Sequence, residues 1–235
     1  EYATDPVRFV GELLDARAYG VDPGSTVSTS TVNVLEPIQA YAEFDLGELV
    51  DGWETSLQTG RFTMKYGSGR LVSRIGFSNV PTSFTGARVD LSSEGGDQIS
   101  LFWTIPQERR PGDAASIRDN DFKLDREGAD LQLFGANYQS KLDALGASLE
   151  LYGYGLLEDD RPDNATRNRQ LFTPGLRLLR KPKDGMFDFD FEAAYQLGTI
   201  RSGKAANAAE KDVSAWMMHA EIGRSLGGPA GLRIA

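Results

Sequence analysis

The sequence predicts an all-β fold, an antiparallel up-and-down transmembrane β-barrel. Three observations favour this class: apolar and polar residues alternate strictly along 187–199, similar segments recur along the chain, and the connections between them alternate in length. Period-two alternation places one set of side chains on each face of a strand. We expect ten strands and the start of an eleventh at Leu232, in a single domain of residues 1–235 that is incomplete at its C-terminus.

The clearest strand is 187–199, where aromatic and acidic residues take opposite faces. The two sets are Phe187, Phe189, Phe191, Ala193, Tyr195 and Leu197, and Asp188, Asp190, Glu192, Ala194, Gln196 and Gly198. A slip of one residue would turn the three carboxylates toward hydrocarbon, where charges are costly. We therefore expect the carboxylates to face an aqueous lumen and the aromatic set to face lipid.

The remaining predicted strands and their connections follow one scheme. These strands lie at 7–19, 38–46, 57–66, 84–91, 99–105, 131–138, 147–157, 171–180 and 216–222. The connections fall near 20–31, 47–53, 67–81, 93–97, 106–128, 140–144, 158–170, 181–185, 201–212 and 225–230. Antiparallel neighbours joined in sequence bring every long connection to one end of the sheet, which is typical of outer-membrane barrels.

Composition excludes several classes of site. The chain has 34 acidic and 25 basic residues, so it lacks the basic excess expected of a nucleic-acid-binding protein. The absence of cysteine excludes disulfides and thiolate metal sites. We expect no metal, no cofactor and no catalytic triad, because there is one histidine and no GxSxG motif. His219 is expected to be a polar wall residue, on the face of the strand opposite to that of Trp216 and Met218.

A soluble β-sandwich is the alternative fold, since its strands also alternate. No apolar run reaches the roughly 18 residues of a transmembrane helix, but a barrel strand needs only about 9 to 11 alternating residues. Aromatic residues near predicted strand ends favour the barrel, because such rings prefer membrane interfaces. These are Trp53, Tyr66, Trp103, Phe187 and Trp216.

Three consecutive segments have a distinctive strand and turn pattern: GRFTMKYGSGRLVSR at 60–74, SFTGARVDL at 83–91 and ISLFWTI at 99–105. Through them, the region 57–105 resembles the alginate export family of bacterial outer-membrane β-barrels. This resemblance implies a monomeric barrel of about 16 to 18 strands in the bacterial outer membrane. It also implies a basic constriction in the lumen that passes an acidic polysaccharide.

Ten residues are candidates for the pore lining. The matching segment supplies Arg61, Lys65, Arg70, Arg74 and Arg88. Alternation supports part of this set: Phe62, Met64 and Tyr66 form an apolar face opposite Arg61 and Lys65. Alternation adds Asp90, Arg177, Asp188, Asp190 and Glu192.

Two roles stay open for these basic side chains. Several cations inside a low-dielectric wall would concentrate an anionic solute, and arginine binds carboxylates through two parallel hydrogen bonds. Alternatively, arginine–carboxylate pairs across strands would brace the wall without selecting any solute, a role favoured for Arg177.

We expect an outer-membrane channel for passive diffusion or export of an anionic solute, with an acidic polysaccharide such as alginate as the candidate. A general porin-like channel and a soluble carbohydrate-binding β-sandwich remain alternatives. Enzymatic hydrolysis by Asp188 and Asp190 is not expected, because alternating acids are common in pore walls without catalysis. The expected partners are outer-membrane lipid, the anionic polysaccharide or small anionic solute, and periplasmic export components.

Overall fold

A computed structural model of the chain describes residues 2–22, 24–226 and 233–234. Its strands within those residues are β1 (Tyr2–Thr4), β2 (Val7–Ala16), β3 (Asn33–Val50), β4 (Trp53–Phe62), β5 (Phe84–Ser93), β6 (Gln98–Pro106), β7 (Leu131–Leu142), β8 (Ala147–Glu158), β9 (Gln170–Arg180), β10 (Phe187–Arg201), β11 (Glu210–Ser225) and β12 (Arg233–Ile234). One short helix, α1 (Ala114–Arg118), and a 3₁₀ turn at Asp143–Leu145 lie between strands. None of the described helices is long and apolar enough to cross a membrane.

The strands form one sheet in sequence order, from β1 to β12. The ten predicted strands correspond to β2–β11, which confirms the up-and-down arrangement. β1 was not predicted. The eleventh strand was expected from Leu232, which lies outside the described residues, and its described part is β12. Among the described strands, β1 and β12 are the two free edges of the sheet.

Long and short connections alternate, as the sequence predicted. The long ones are 17–32, 63–83, 107–130, 159–169 and 202–209. The short ones, where described throughout, are 5–6, 51–52, 94–97, 143–146 and 181–186. Because sequence neighbours pair side by side, the short connections share one end of the strands, the short-turn end, and the long ones share the long-loop end.

The chain divides into two compact units, described separately below. Unit 1 comprises residues 1–47, 55–89 and 102–132, and unit 2 comprises 48–54, 90–101 and 133–235. The division cuts through β3, β4, β5, β6 and β7, so it does not separate whole strands. The single domain expected from the sequence stays a prediction.

The two faces of β10 reverse the pattern of a soluble protein. Asp188 and Glu192 are each 2 % exposed, whereas Phe187 is 57 % exposed. β11 continues the apolar face, with Trp216 and Met218 at 75 % and 72 % exposure. The described strands form one sheet, so no second sheet covers this apolar face. The soluble β-sandwich alternative is therefore wrong.

The alternation fails at the end of β4, and three facing predictions there are wrong. Phe62, Met64 and Tyr66 were expected to face lipid, yet they are buried. The ring of Phe62 contacts Tyr41 edge to face, with centroids 6.4 Å apart. Gly60, with φ of 121°, lets β4 approach the backbone of Ala40 closely, which disturbs the pleat before Phe62. β4 then ends, so alternation says nothing about the two later residues.

Three further positional expectations also differ. Ile38, the first residue of the strand predicted at 38–46, would face lipid if it alternated regularly with the polar Gln39, but it is 1 % exposed because it sits at a register shift between β2 and β3. Trp216 was placed at a strand end, but β11 starts earlier than predicted, so it lies well inside the strand opposite Tyr195. Tyr66 lies in a connection, where its ring stacks on Phe102 with centroids 5.3 Å apart.

Candidate functional site

Arg61 is bound by two carboxylates at the long-loop end of unit 1. Its guanidinium donates to Glu36, to Glu127 at 2.9 Å and to the carbonyl oxygen of Pro37 at 2.8 Å. The side chain of Glu36 is fully buried. A buried carboxylate without its cation would be strongly destabilising, so this contact favours a bracing role for Arg61.

Glu36 and Asp125 fasten the connection 107–130 to the strands. The Asp125 amide donates to Glu36 at 2.9 Å, and the Asp125 carboxylate accepts from the Asn33 side chain at 3.0 Å and the Arg110 amide at 2.9 Å. Burial raises the pKa of Asp125 to about 6, although the Arg110 and Asn33 hydrogen bonds oppose that rise.

Glu127 is the third carboxylate of this cluster. Burial raises its pKa, but hydrogen bonds from Thr85 and Arg61 outweigh that effect, and the net pKa is lowered. A small apolar cluster in the same unit packs Ile117 of α1 against Val32 and Val34. The connection 107–130 is thus a fixed element.

The other basic candidates of unit 1 have different surroundings. Arg74 donates to both oxygens of Glu12, at 2.9 and 2.5 Å, and this pairing raises the arginine pKa. Lys65 and Arg70 are exposed residues of the connection 63–83. The Arg88 guanidinium lies 5.8 Å from the centroid of the Phe62 ring.

The candidates of unit 2 form a ladder of ion pairs and hydrogen bonds. Arg177 binds Asp190 through two bonds of 2.8 and 2.7 Å. Glu192 accepts from the Tyr152 hydroxyl at 3.3 Å. Asp188 accepts from the Arg233 Nε at 3.0 Å. Asp90, near the short-turn end, accepts from the Ser100 hydroxyl at 2.5 Å.

Register brings further charged residues into this ladder. Glu150 lies opposite Arg177, which lies opposite Glu192, which lies opposite His219. Glu150 accepts from Asn137 at 2.6 Å. The expectation that His219 belongs to the polar face agrees with its place opposite Glu192.

The sequence reasoning missed several members of both clusters. In unit 1 these are Glu36, Asp125 and Glu127, and in unit 2 Glu150, Glu221 and Arg233. Glu150 alternates with the apolar Leu149 and Leu151, so its facing could have been read from the sequence. The acids of the connection 107–130 carried no periodic signal.

The described residues hold no group of three or more histidine, aspartate or glutamate side chains that could bind a metal ion. The contacts instead favour a polar wall whose charges neutralise one another. A model of the family described as alginate export matches residues 1–230.

The chain belongs to the alginate export family. The match covers nearly the whole chain, well beyond the segment 57–105 on which the sequence resemblance rested. The family is a transport family associated with outer-membrane β-barrels. No curated protein and no solved structure matches the chain.

Proposed function

We propose that this protein is an outer-membrane channel that passes an anionic solute, with an acidic polysaccharide such as alginate as the substrate. The observation that carries the proposal is the reversed burial of β10, whose acidic face is enclosed while its aromatic face is exposed. Family membership supports export of a polysaccharide. The proposal includes a monomeric barrel, bilayer lipid against the apolar face and periplasmic export components as partners.

The proposed mechanism is electrostatic. Arg61, Lys65 and Arg88 would raise the local concentration of uronate carboxylates, because a low-dielectric wall focuses their field. Passage also requires weak contacts that release the chain. Glu36 and Glu127 already accept hydrogen bonds from Arg61. A passing uronate would compete with them for the same donors, so its own contact with Arg61 would be weak.

The first experiment measures ion selectivity of the intact protein in a planar bilayer under a KCl gradient. We expect anion preference in the wild type and its loss in R61Q/K65Q/R88Q, because the field that attracts anions is removed. The matched control, R17Q/K204Q/K211Q, removes the same charge from exposed positions outside the candidate set.

A second variant, K65Q/R88Q, keeps the bracing contacts of Arg61 in case the triple variant does not fold. Its anion preference should fall below that of the wild type. Unchanged selectivity in folded K65Q/R88Q and R61Q/K65Q/R88Q would contradict the basic-constriction mechanism.

A general porin-like channel is the second candidate, favoured by the pairing of Arg177 with Asp190 and of Arg74 with Glu12. Arginines whose charge is neutralised by a paired carboxylate would leave little net electrostatic field in the lumen to select anions over cations. Current block by a soluble uronate oligomer separates the two candidates, since a general channel would conduct chloride without being blocked at low oligomer concentration.

A further inference from the structure

A cavity of about 540 Å³ lies at the short-turn end of unit 2. It is formed where β6, β7, β8 and β9 meet their turns. Its lining includes Gln98, Gln139, Ser148 and Leu179, together with three lysines, Lys141, Lys181 and Lys183. None of these lysines is among the ten predicted pore-lining residues.

The cavity opens on the polar face of the sheet, not on the apolar face. Ser148 lies opposite Leu179, two residues along from the pair formed by Glu150 and Arg177. Residues two apart on a strand share a face. The cavity therefore shares the face of the ion-pair ladder, while Leu176, the neighbour of Arg177 on the other face, is exposed with the apolar set.

The cavity is cationic and its lysines are not neutralised. No aspartate or glutamate is part of its lining. Within the described residues, none of the three ammonium groups is engaged in an ion pair. Arg177 and Arg233, on the same face, are by contrast held by carboxylates.

Lys141 is seated in the cavity by a close contact with Gly96. A Cβ atom at Gly96 would lie 2.6 Å from the Lys141 Nζ and 3.0 Å from its Cε. The ammonium group thus occupies space that any larger residue would fill. Gly96, with φ of 88°, leaves room beside the turn 94–97 for this ammonium group.

We propose that this lysine cavity binds carboxylate groups of the anionic solute at the short-turn end of unit 2. The inference rests on the proposed function and adds a capture site to it. Ammonium groups on flexible stems bind carboxylates as point charges, without the fixed fork of arginine. Such contacts attract a polyanion and release it readily, as a conduit requires.

The test is the rate at which a trimer of galacturonate blocks single-channel current of the intact protein in a planar bilayer. The blocker is added to one side at a time, at low salt, where charges act over about 10 Å or more. The orientation of each inserted channel is determined with the variant A206C, whose cysteine an impermeant thiol reagent modifies from one side only. The chain has no other cysteine that could react.

We expect K141Q/K181Q/K183Q to lower the blocking rate from the short-turn side by about tenfold and leave the rate from the long-loop side unchanged. K141R/K181R/K183R should retain most of the wild-type rate. K204Q/K211Q, which removes exposed lysines from the long-loop end, should leave the rate from the short-turn side unchanged.

Two results distinguish failure of the proposed conduit from failure of the capture site alone. If the wild type is not blocked from either side, the proposed polyanion conduit fails. If the wild type is blocked and folded K141Q/K181Q/K183Q retains its rate, or loses it equally from both sides, the capture site is refuted while the conduit stands.

Discussion

At the scale of single residues, Arg177 and Arg233 on the polar face are each matched to particular carboxylates. Arg177 binds Asp190 with both donors, and its side chain is 15 % exposed. Charge-assisted pairs of this bidentate kind are stronger and more specific than single hydrogen bonds. The pairs favour bracing at these positions, and selectivity stays a prediction for Arg61, Lys65 and Arg88.

The Arg177–Asp190 pair gives a prediction about stability. R177Q should lower the free energy of unfolding because it leaves the Asp190 carboxylate without its cation. R177Q/D190N should recover part of the loss, with a coupling energy of about 1–3 kcal/mol. Urea denaturation of the wild type, R177Q, D190N and R177Q/D190N in detergent micelles measures this coupling energy. Strictly additive single effects would show that the pair does not stabilise the wall.

At the scale of elements, the connection 107–130 is held by contacts that respond to pH. Its end is fixed by reciprocal backbone hydrogen bonds between Glu108 and Arg126, each 2.9 Å, and by the contacts of Asp125. The raised pKa of Asp125 means that the attached state favours the protonated acid. Attachment is strongest below the ordinary aspartate pKa and weakens as pH rises through about 6.

We therefore expect the amide of Arg126 to show higher protection factors in hydrogen exchange at pH 5 than at pH 8. D125N should remove this dependence, because an amide cannot ionise. D121N is the matched control: Asp121 is an exposed residue of the same connection, so its replacement should leave the profile unchanged. Equal protection of wild type at both pH values would refute the assignment to Asp125.

At the scale of the whole molecule, the sheet has a lipid-compatible face and a water-compatible face. Met217 and Met218 are adjacent and identical, yet they lie on opposite faces of β11. Met218 is 72 % exposed, whereas Met217 lies opposite Ala194, which is 8 % exposed. This pair separates the effect of facing from the effect of residue type.

M218K should destabilise the protein in lipid vesicles by up to about 2–4 kcal/mol, because a lysine near the bilayer midplane is desolvated. M217K should cost less, since its ammonium group would meet the polar face. Urea unfolding in vesicles measures both. A larger loss for M217K than for M218K would reverse the assignment of the two faces.

The local sequence pattern by itself determined where the strands lie, and the lengths of the connections indicated their up-and-down order. Alternation also determined the facing of β10, because side-chain direction along a regular strand is a local property. It also placed Asp188, Asp190 and Glu192 on one face. Tertiary structure decided which groups meet: Arg61 with Glu127, 66 residues away, depends on how a long connection folds back. The inward facing of Phe62 depends on a local backbone irregularity. The gathering of three lysines around one cavity depends on the register between strands. Periodicity along one strand encodes neither of these.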